Sequence, residues 1–274
     1  MKVAIVGLGM IGGSLARDLA ALGVTVVGFD RTPATLRAAR RTGVISESLG
    51  ADLAGVERCD VCVIAVPVDA TVALIEQAAP RLLSVPLITD VGSTKRTIID
   101  AALRAGLGAR FVGSHPFTGD HRTGWRASRR GLFLGERVFL SPTRISRPAA
   151  MARARRMWRM VGAAPEAIGA AVHDAFVARA SHLPQIVSSA LGRVLAEAGV
   201  SRAQLGPGGR DVTRLAGSDP AAWSAIAMAN ADLLAPLLAM YERAIRRART
   251  AIASGRAQSI RRHFEAGHRW SAAP

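Results

Sequence analysis

A chain of 274 residues, half of them apolar, can bury a sizeable core as one large domain or two moderate ones. No apolar run reaches bilayer-spanning length and MKVAIVGLGMIGGS does not read as a signal peptide, so no membrane partner is expected and the protein is read as soluble and cytoplasmic. The formal charge of +16 first suggests nucleic acid, but of 36 basic residues only Lys2 and Lys95 are lysines, and the arginines cluster at helical spacing without interleaved aromatics, as on a solvated surface; no nucleic-acid partner is expected, and the charge suits attraction of a small anionic substrate.

From residue 1 to about 145, short β-rich runs alternate with helical patterns. KVAIVGLG, TVVGFD, VCVIAVP, PLITDVG, RFVGSHP and RVFLSP read as strands, and alternation with helices implies an α/β, Rossmann-type, mostly parallel sheet covered on both faces. Cys59 and Cys62 make a C-x-x-C that runs into a buried-looking strand, with no second pair to complete a zinc site; they read as two reduced core cysteines, and no metal is expected. From about residue 148 the apolar residues fall at three- and four-residue spacing with no convincing strand. The boundary is placed near SPTRISRP, giving a nucleotide-binding domain over 1–147 and an all-helical domain over 148–274. IVSSALGRVL and ADLLAPLLAMY are apolar nearly all round, more than a domain of this size can cover, so a homodimer built through the helical half is expected.

At the N-terminal end, Gly7, Gly9 and Gly12 have G-x-G-x-x-G spacing, directly after an apolar strand and at the start of a helix. Such glycines allow a tight turn and close backbone approach, and the helix N-terminus offers free N–H groups and partial positive charge to a pyrophosphate. The second strand ends in Asp30, whose carboxylate can accept hydrogen bonds from ribose hydroxyls and would repel a 2′-phosphate, favouring NAD over NADP; the neighbouring Arg31 is the residue that could accommodate that phosphate. Met10 and Ile11 in the turn and Val66 after the third strand run complete the cofactor-binding set. A Rossmann unit specifies a cofactor and leaves the substrate open: 3-hydroxyacid dehydrogenases and imine reductases share this plan.

Four further stretches narrow the choice. DVGSTK (90–95), GSHPFTG (113–119), HDAFVARASHLPQ (173–185) and GGRDVTRLAGSDPAAW (208–223), in this order behind GLGMIGGS, resemble the prephenate and arogenate dehydrogenase family of tyrosine biosynthesis, across nearly the whole chain. The length matches the minimal two-domain form of that family. The resemblance implies NAD(P)-dependent oxidation of the C4 alcohol of a cyclohexadienyl substrate with loss of its C1 carboxylate as CO2. His115 matches the family's catalytic histidine, whose imidazole takes up the hydroxyl proton as hydride departs; imidazole suits this because its pKa lies near working pH, and the surrounding arginines are expected to keep it neutral beforehand. Ser93 matches the serine that orients histidine and hydroxyl, and Ser93 or Thr94 also reads as the N-cap of the helix that follows.

Arg214 matches the arginine that grips a substrate carboxylate, for which a planar guanidinium offers two parallel hydrogen bonds. Trp223 matches a tryptophan near the substrate and reads equally well as a core anchor. His182 and Gln185, three residues apart, share one helix face if the helix survives Pro184. Two positions depart from the family pattern: Gln185 stands where a substrate-contacting histidine is common, and His121 where a glutamate is usual. Loss of that acid favours prephenate, with its ketoacid side chain, over arogenate, with its ammonium; a related amino-substituted cyclohexadienyl compound stays open. A dinucleotide-binding sensor without turnover is the reading from another class, and the presence of His115, Ser93 and Arg214 together weighs against it. A 3-hydroxyacid dehydrogenase should carry a catalytic lysine in its helical half, and residues 148–274 contain no lysine.

Overall fold

In the computed structural model, which describes residues 1–119 and 122–273, all six runs read as strands form strands. They are β1 (Lys2–Val6), β2 (Thr25–Phe29), β4 (Val61–Ile64), β5 (Leu87–Asp90), β6 (Val112–Pro116) and β7 (Arg137–Pro142), joined by two short strands, β3 (Glu47–Ser48) and β8 (Ala164–Ala167). Five make a parallel sheet in the order β3-β2-β1-β4-β5, the doubly wound order in which the chain reverses direction across the sheet at β1. Three make a second sheet, β6-β7-β8, with β6 and β7 antiparallel and β7 and β8 parallel. A single parallel bridge, Ile88 to Phe111, brings β6 alongside β5.

The buried faces explain why these residues become strands. β1, β4 and β5 are buried along almost their whole length, as parallel strands covered on both faces must be, and β1 and β4 are correspondingly rich in valine and isoleucine. One core layer packs Leu15 and Leu19 of α1 (Met10–Ala21) with Met157 and Trp158 of a later helix; the other packs Ile75, Ile98 and Ala102 against the opposite face. The helices between the strands are α2 (Pro33–Arg41), α3 (Val68–Gln77), α4 (Ala79–Leu82) and α5 (Arg96–Arg104), followed by α6 (Pro148–Met160), which carries Met157 and Trp158.

β8 corrects the expectation that no strand follows residue 148. Its sequence, Ala-Pro-Glu-Ala, has no β-branched residue and is mostly exposed, so nothing in its pattern announces a strand; it exists because β7 offers it an open edge. After it the chain is helical, with α7 (Ala170–Val177), α8 (Leu183–Glu197), α9 (Pro207–Val212), α10 (Pro220–Ala229), α11 (Ala231–Ala253) and α12 (Ala257–Ala272). Between α7 and α8 a π-helical stretch, Ala178–His182, carries the helix up to Pro184, which sits in the first turn of α8. Proline has no N–H and its ring collides with the carbonyl four residues back, so the widened turn before it lets the helix continue.

By compactness the chain divides into Met1–Asn230 and Ala231–Pro274. Within the second unit, α11 packs against α12. No single helix among the described residues is long and apolar enough to cross a membrane. Cys59 and Cys62 are both free and buried, and burial pushes their thiols up, that of Cys62 to about 12, so neither is poised as a nucleophile.

Candidate active site

Strand register sets the site. Val6 of β1 lies beside Phe29 of β2 on one side and Ile64 of β4 on the other, and Ile64 lies beside Asp90 of β5. The residues that follow these ends, Gly7, Asp30, Ala65 with Val66, and Val91 through Ser93, therefore line one edge of the sheet. β6 extends the row, because Ser114 donates its backbone N–H to the Asp90 carboxylate at 3.2 Å, and His115 is the next residue. Ligands of open α/β sheets bind outside the carboxyl ends of the strands, where this row lies.

The glycine turn has the shape to admit a nucleotide. Gly7 adopts φ +94°, and a Cβ there would stand 2.3 Å from the Ala65 carbonyl oxygen, while one on Gly12 would stand 2.0 Å from the Gly7 carbonyl oxygen; both positions require glycine. A Cβ on Gly9 would meet nothing within 4 Å, which leaves the space beside the turn open. α1 begins at Met10 with no side chain capping it, so its leading N–H groups face that space. The Asp30 carboxylate receives the backbone N–H of Leu8 at 2.9 Å and that of Thr32 at 2.8 Å, bonds that hold it beside the glycine turn with lone pairs to spare. Arg31 is exposed and Val66 half-buried. A Cβ on Gly119 would lie 3.3 Å from the Met10 side chain, so the segment following His115 passes directly over this turn.

The backbone before His115 is fixed from several sides. Ser114 Oγ receives the indole N–H of Trp158 at 3.0 Å and shares a 2.7 Å hydrogen bond with Thr89, and the Ser114 carbonyl accepts from Lys95 Nζ at 2.8 Å. Lys95 also pairs with the carboxylate of Asp90, and both side chains are fully buried. Burial pushes Asp90 up and Lys95 down, with their mutual attraction opposing each shift. Lys95, for which the sequence suggests no more than local charge, thus ties β5 to β6 under the site.

His115 itself is only 8% exposed, its ring set edge-on to Phe117 and near Phe139, with Phe176 closing the aromatic cluster. Its Nδ1 lies 2.8 Å from Nε2 of His173, and Nδ1 of His173 lies 2.8 Å from Oδ1 of Asp174. Asp174 in turn accepts the backbone N–H groups of Lys95 at 2.7 Å and Arg96 at 2.9 Å, at the start of α5. The cap of α5 therefore comes from Asp174, and neither Ser93 nor Thr94 supplies it; Ser93 sits half-buried in the turn between β5 and α5. Burial opposes ionisation of Asp174, yet the bonds from His173, Arg96 and Lys95 hold its carboxyl below the ordinary range. The His115 imidazole is held well below its ordinary pKa by burial first, then by His173, Lys95 and His182. Arginines are not the cause, contrary to the expectation from composition.

Asn230 joins a further predicted residue to this cluster. Its side-chain amide donates to the Asp174 carbonyl at 3.1 Å and lies 3.4 Å from His182 Nδ1, while its oxygen accepts from Arg96 at 3.1 Å. His182 is buried edge-on against Trp223, which is half-buried in the adjoining core; burial lowers the His182 pKa to about 4. Gln185 shares the face of His182 in sequence but turns elsewhere: its amide donates to the Leu215 carbonyl at 2.7 Å and its oxygen accepts from Ser218 at 3.3 Å, binding α8 to the segment after α9. Arg214, on that segment, is exposed and lines a separate concavity of about 420 Å³ with Gly192, Leu195 and Arg202. The structure thus brings His115 and His182 into one network and leaves Gln185 and Arg214 outside it. His121 lies outside the described residues. His173, Asp174 and Asn230 are the members that sequence reasoning missed, the first two although they open the quoted HDAFVARASHLPQ stretch.

Comparison with known proteins agrees with this architecture. Residues 15–166 match the family model described as prephenate dehydrogenase, nucleotide-binding domain, and residues 169–266 match prephenate dehydrogenase, dimerization domain. The chain is 31% identical to prephenate dehydrogenase of Bacillus subtilis, over 96% of this chain and 73% of that one. It is also 31% identical to cyclohexadienyl dehydrogenase of Zymomonas mobilis, over 96% of this chain and 92% of that one. Among solved structures, prephenate dehydrogenase from A. aeolicus in complex with hydroxyphenyl propionate and NAD+ superposes with a TM-score of 0.87 at 28% identity, covering 98% of this chain and 96% of the other. With both halves matched in order and its nucleotide-binding edge built as such an oxidoreductase requires, the chain belongs to the prephenate and arogenate dehydrogenase family.

Proposed function

We propose that this protein catalyses NAD-dependent oxidative decarboxylation of prephenate to 4-hydroxyphenylpyruvate. The observation that carries the reading is the row along the sheet edge, in which a pyrophosphate-ready glycine turn, a ribose-ready Asp30 and a nearly buried neutral histidine succeed one another. Bound NAD supplies the hydride acceptor; Gly7, Gly9 and Gly12, the α1 N-terminus with Met10 and Ile11, Asp30 and Val66 would hold it, with Arg31 at the ribose end. The carboxylate of Asp30 disfavours a 2′-phosphate, and NAD is therefore preferred to NADP.

His115 would accept the C4 hydroxyl proton as the C4 hydride departs. The bond from C1 to the carboxylate then breaks, its electron pair enters the ring, and the phenolate oxygen so formed takes the proton back from the imidazole. A base returned to neutrality within the cycle needs no high pKa, which suits a buried imidazole. Ser93, in the turn beside it, orients the hydroxyl. His182 receives the Asn230 amide at Nδ1, so Nε2 carries the hydrogen, and that buried donor has no partner among the described residues; an anionic substrate group would satisfy it. By family resemblance Trp223 and His121 belong to the substrate set, where the absence of a carboxylate at 121 favours prephenate over arogenate, while Gln185 and Arg214, whose contacts lie away from His115, are left out of it. We further infer a cytoplasmic homodimer assembled through the helical half, since Ile252, Phe264 and Trp270 expose large apolar surface.

Assaying prephenate and arogenate side by side, each with NAD and with NADP, is the test. The expected result is reduction of NAD with prephenate at a kcat/KM at least tenfold, about 1.4 kcal/mol in transition-state terms, above every other pairing. A clear preference for arogenate would overturn the substrate assignment, and no turnover with any of the four would favour a binding protein.

A further inference from the structure

Resting on the reading of His115 as the proton acceptor, we propose that Asp174 and His173 are positioning residues that fix the tautomer of His115, leaving its Nε2 bare toward the substrate. The order follows from one end of the chain of contacts. Asp174 accepts two backbone N–H groups at the start of α5 and the Arg96 Nε–H at 3.2 Å, so the anion is stabilised from three directions and can act only as an acceptor. His173 Nδ1, 2.8 Å from that carboxylate, must then carry the hydrogen, which leaves His173 Nε2 bare. Across the next 2.8 Å contact, Nδ1 of His115 must donate to it. His115 therefore holds its hydrogen on Nδ1 and presents a lone pair on Nε2.

The surroundings reinforce this arrangement. His173 and Asp174 are fully buried, and Phe117, Phe139 and Phe176 screen the two rings from water that could offer alternative hydrogen bonds. Among the described residues, the other charged or titratable groups facing the rings are Lys95, engaged with Asp90, and His182, held neutral. None of these described groups offers a competing acceptor to His115 Nδ1. When His115 takes up the hydroxyl proton, its positive ring still donates to His173, backed by the Asp174 anion. The same logic orients histidine in the serine-protease triad, where replacing the aspartate by asparagine yields the wrong tautomer.

The test compares kcat and KM for prephenate at saturating NAD in the wild-type protein and five variants, three single and two double. Asp174→Asn presents an amide N–H to His173, which reverses both tautomers; kcat should fall by about 10³-fold or more with KM for prephenate nearly unchanged. His173→Phe, which leaves no buried charge behind, should lose a similar factor and serves if Asp174→Asn folds poorly. Added to His115→Asn, either change should cost less than about twofold more, because groups acting through one residue are non-additive. ¹⁵N shifts of the ligand-free protein should show His115 protonated at Nδ1, and at Nε2 in Asp174→Asn. The proposal is overturned if a folded Asp174→Asn or His173→Phe keeps kcat within about threefold of wild type, or if its loss persists undiminished on the His115→Asn background. Wild-type turnover by His115→Asn alone would instead sink the assignment of the base, and the relay with it.

Discussion

Replacing His115 by asparagine should lower kcat with prephenate by about 10²–10⁴-fold while leaving NAD affinity unchanged, since general-base catalysis contributes on that scale and the glycine turn is untouched. Binding is read by fluorescence titration of NADH, turnover by its absorbance. The wild-type pH profile is a second readout of the same group. A base must be unprotonated to work, and burial holds the His115 imidazole well below its ordinary value, so the acid limb of kcat/KM should lie below about pH 6.5. The same sign governs stability. His115, His173 and His182 all have lowered pKa values in the folded protein, so the unfolded chain binds more protons as pH falls through about 6.5. Each ring should then remove about 1.4 kcal/mol of stability per pH unit until it protonates in the folded state, which for His182 happens near pH 4.

Lys95→Met should destabilise the fold by about 3–5 kcal/mol, seen as a lower Tm, because it strands the buried Asp90 carboxylate without its cation. Asp90 keeps the backbone N–H groups of Gly92 at 2.7 Å and Ser114 at 3.2 Å, and these soften the loss without replacing the charge. Methionine matches the lysine stem in volume, so cavity formation contributes little. Pairing it with Asp90→Asn should recover much of the stability, since the cost lies in the unpaired ion. Lys95→Met also frees the Ser114 carbonyl that anchors the residue before His115, so activity should fall further than Tm alone accounts for.

What the sequence made legible was whatever local chemistry dictates. Valine-rich runs gave β1 and β4, the apolar pair Leu87–Ile88 gave β5, and the spacing of Gly7, Gly9 and Gly12 gave the turn, because at two of these positions no Cβ has room. β8 escaped because its four residues owe their conformation to a neighbouring edge and not to their own propensity. The cap of α5 looked local, with Ser93 and Thr94 at hand, but Asp174 reaches it from a distant helix. His173 and Asp174 were in plain view within a quoted motif; as neighbours on one helix they give no hint that one ring meets β6 and the other carboxylate meets α5. Arg214 and Gln185 show the converse: the motif marks them, while their contacts lie with each other's segment and away from His115.

The most direct measurement is a crystal structure with NAD+ and 4-hydroxyphenylpyruvate bound together. The phenol oxygen should lie within hydrogen-bond reach of His115 Nε2, about 2.6–3.2 Å, with the nicotinamide ring packed against the same carbon. A ternary complex in which that oxygen is held by other groups, with the His115 ring turned away from the product, would contradict the account.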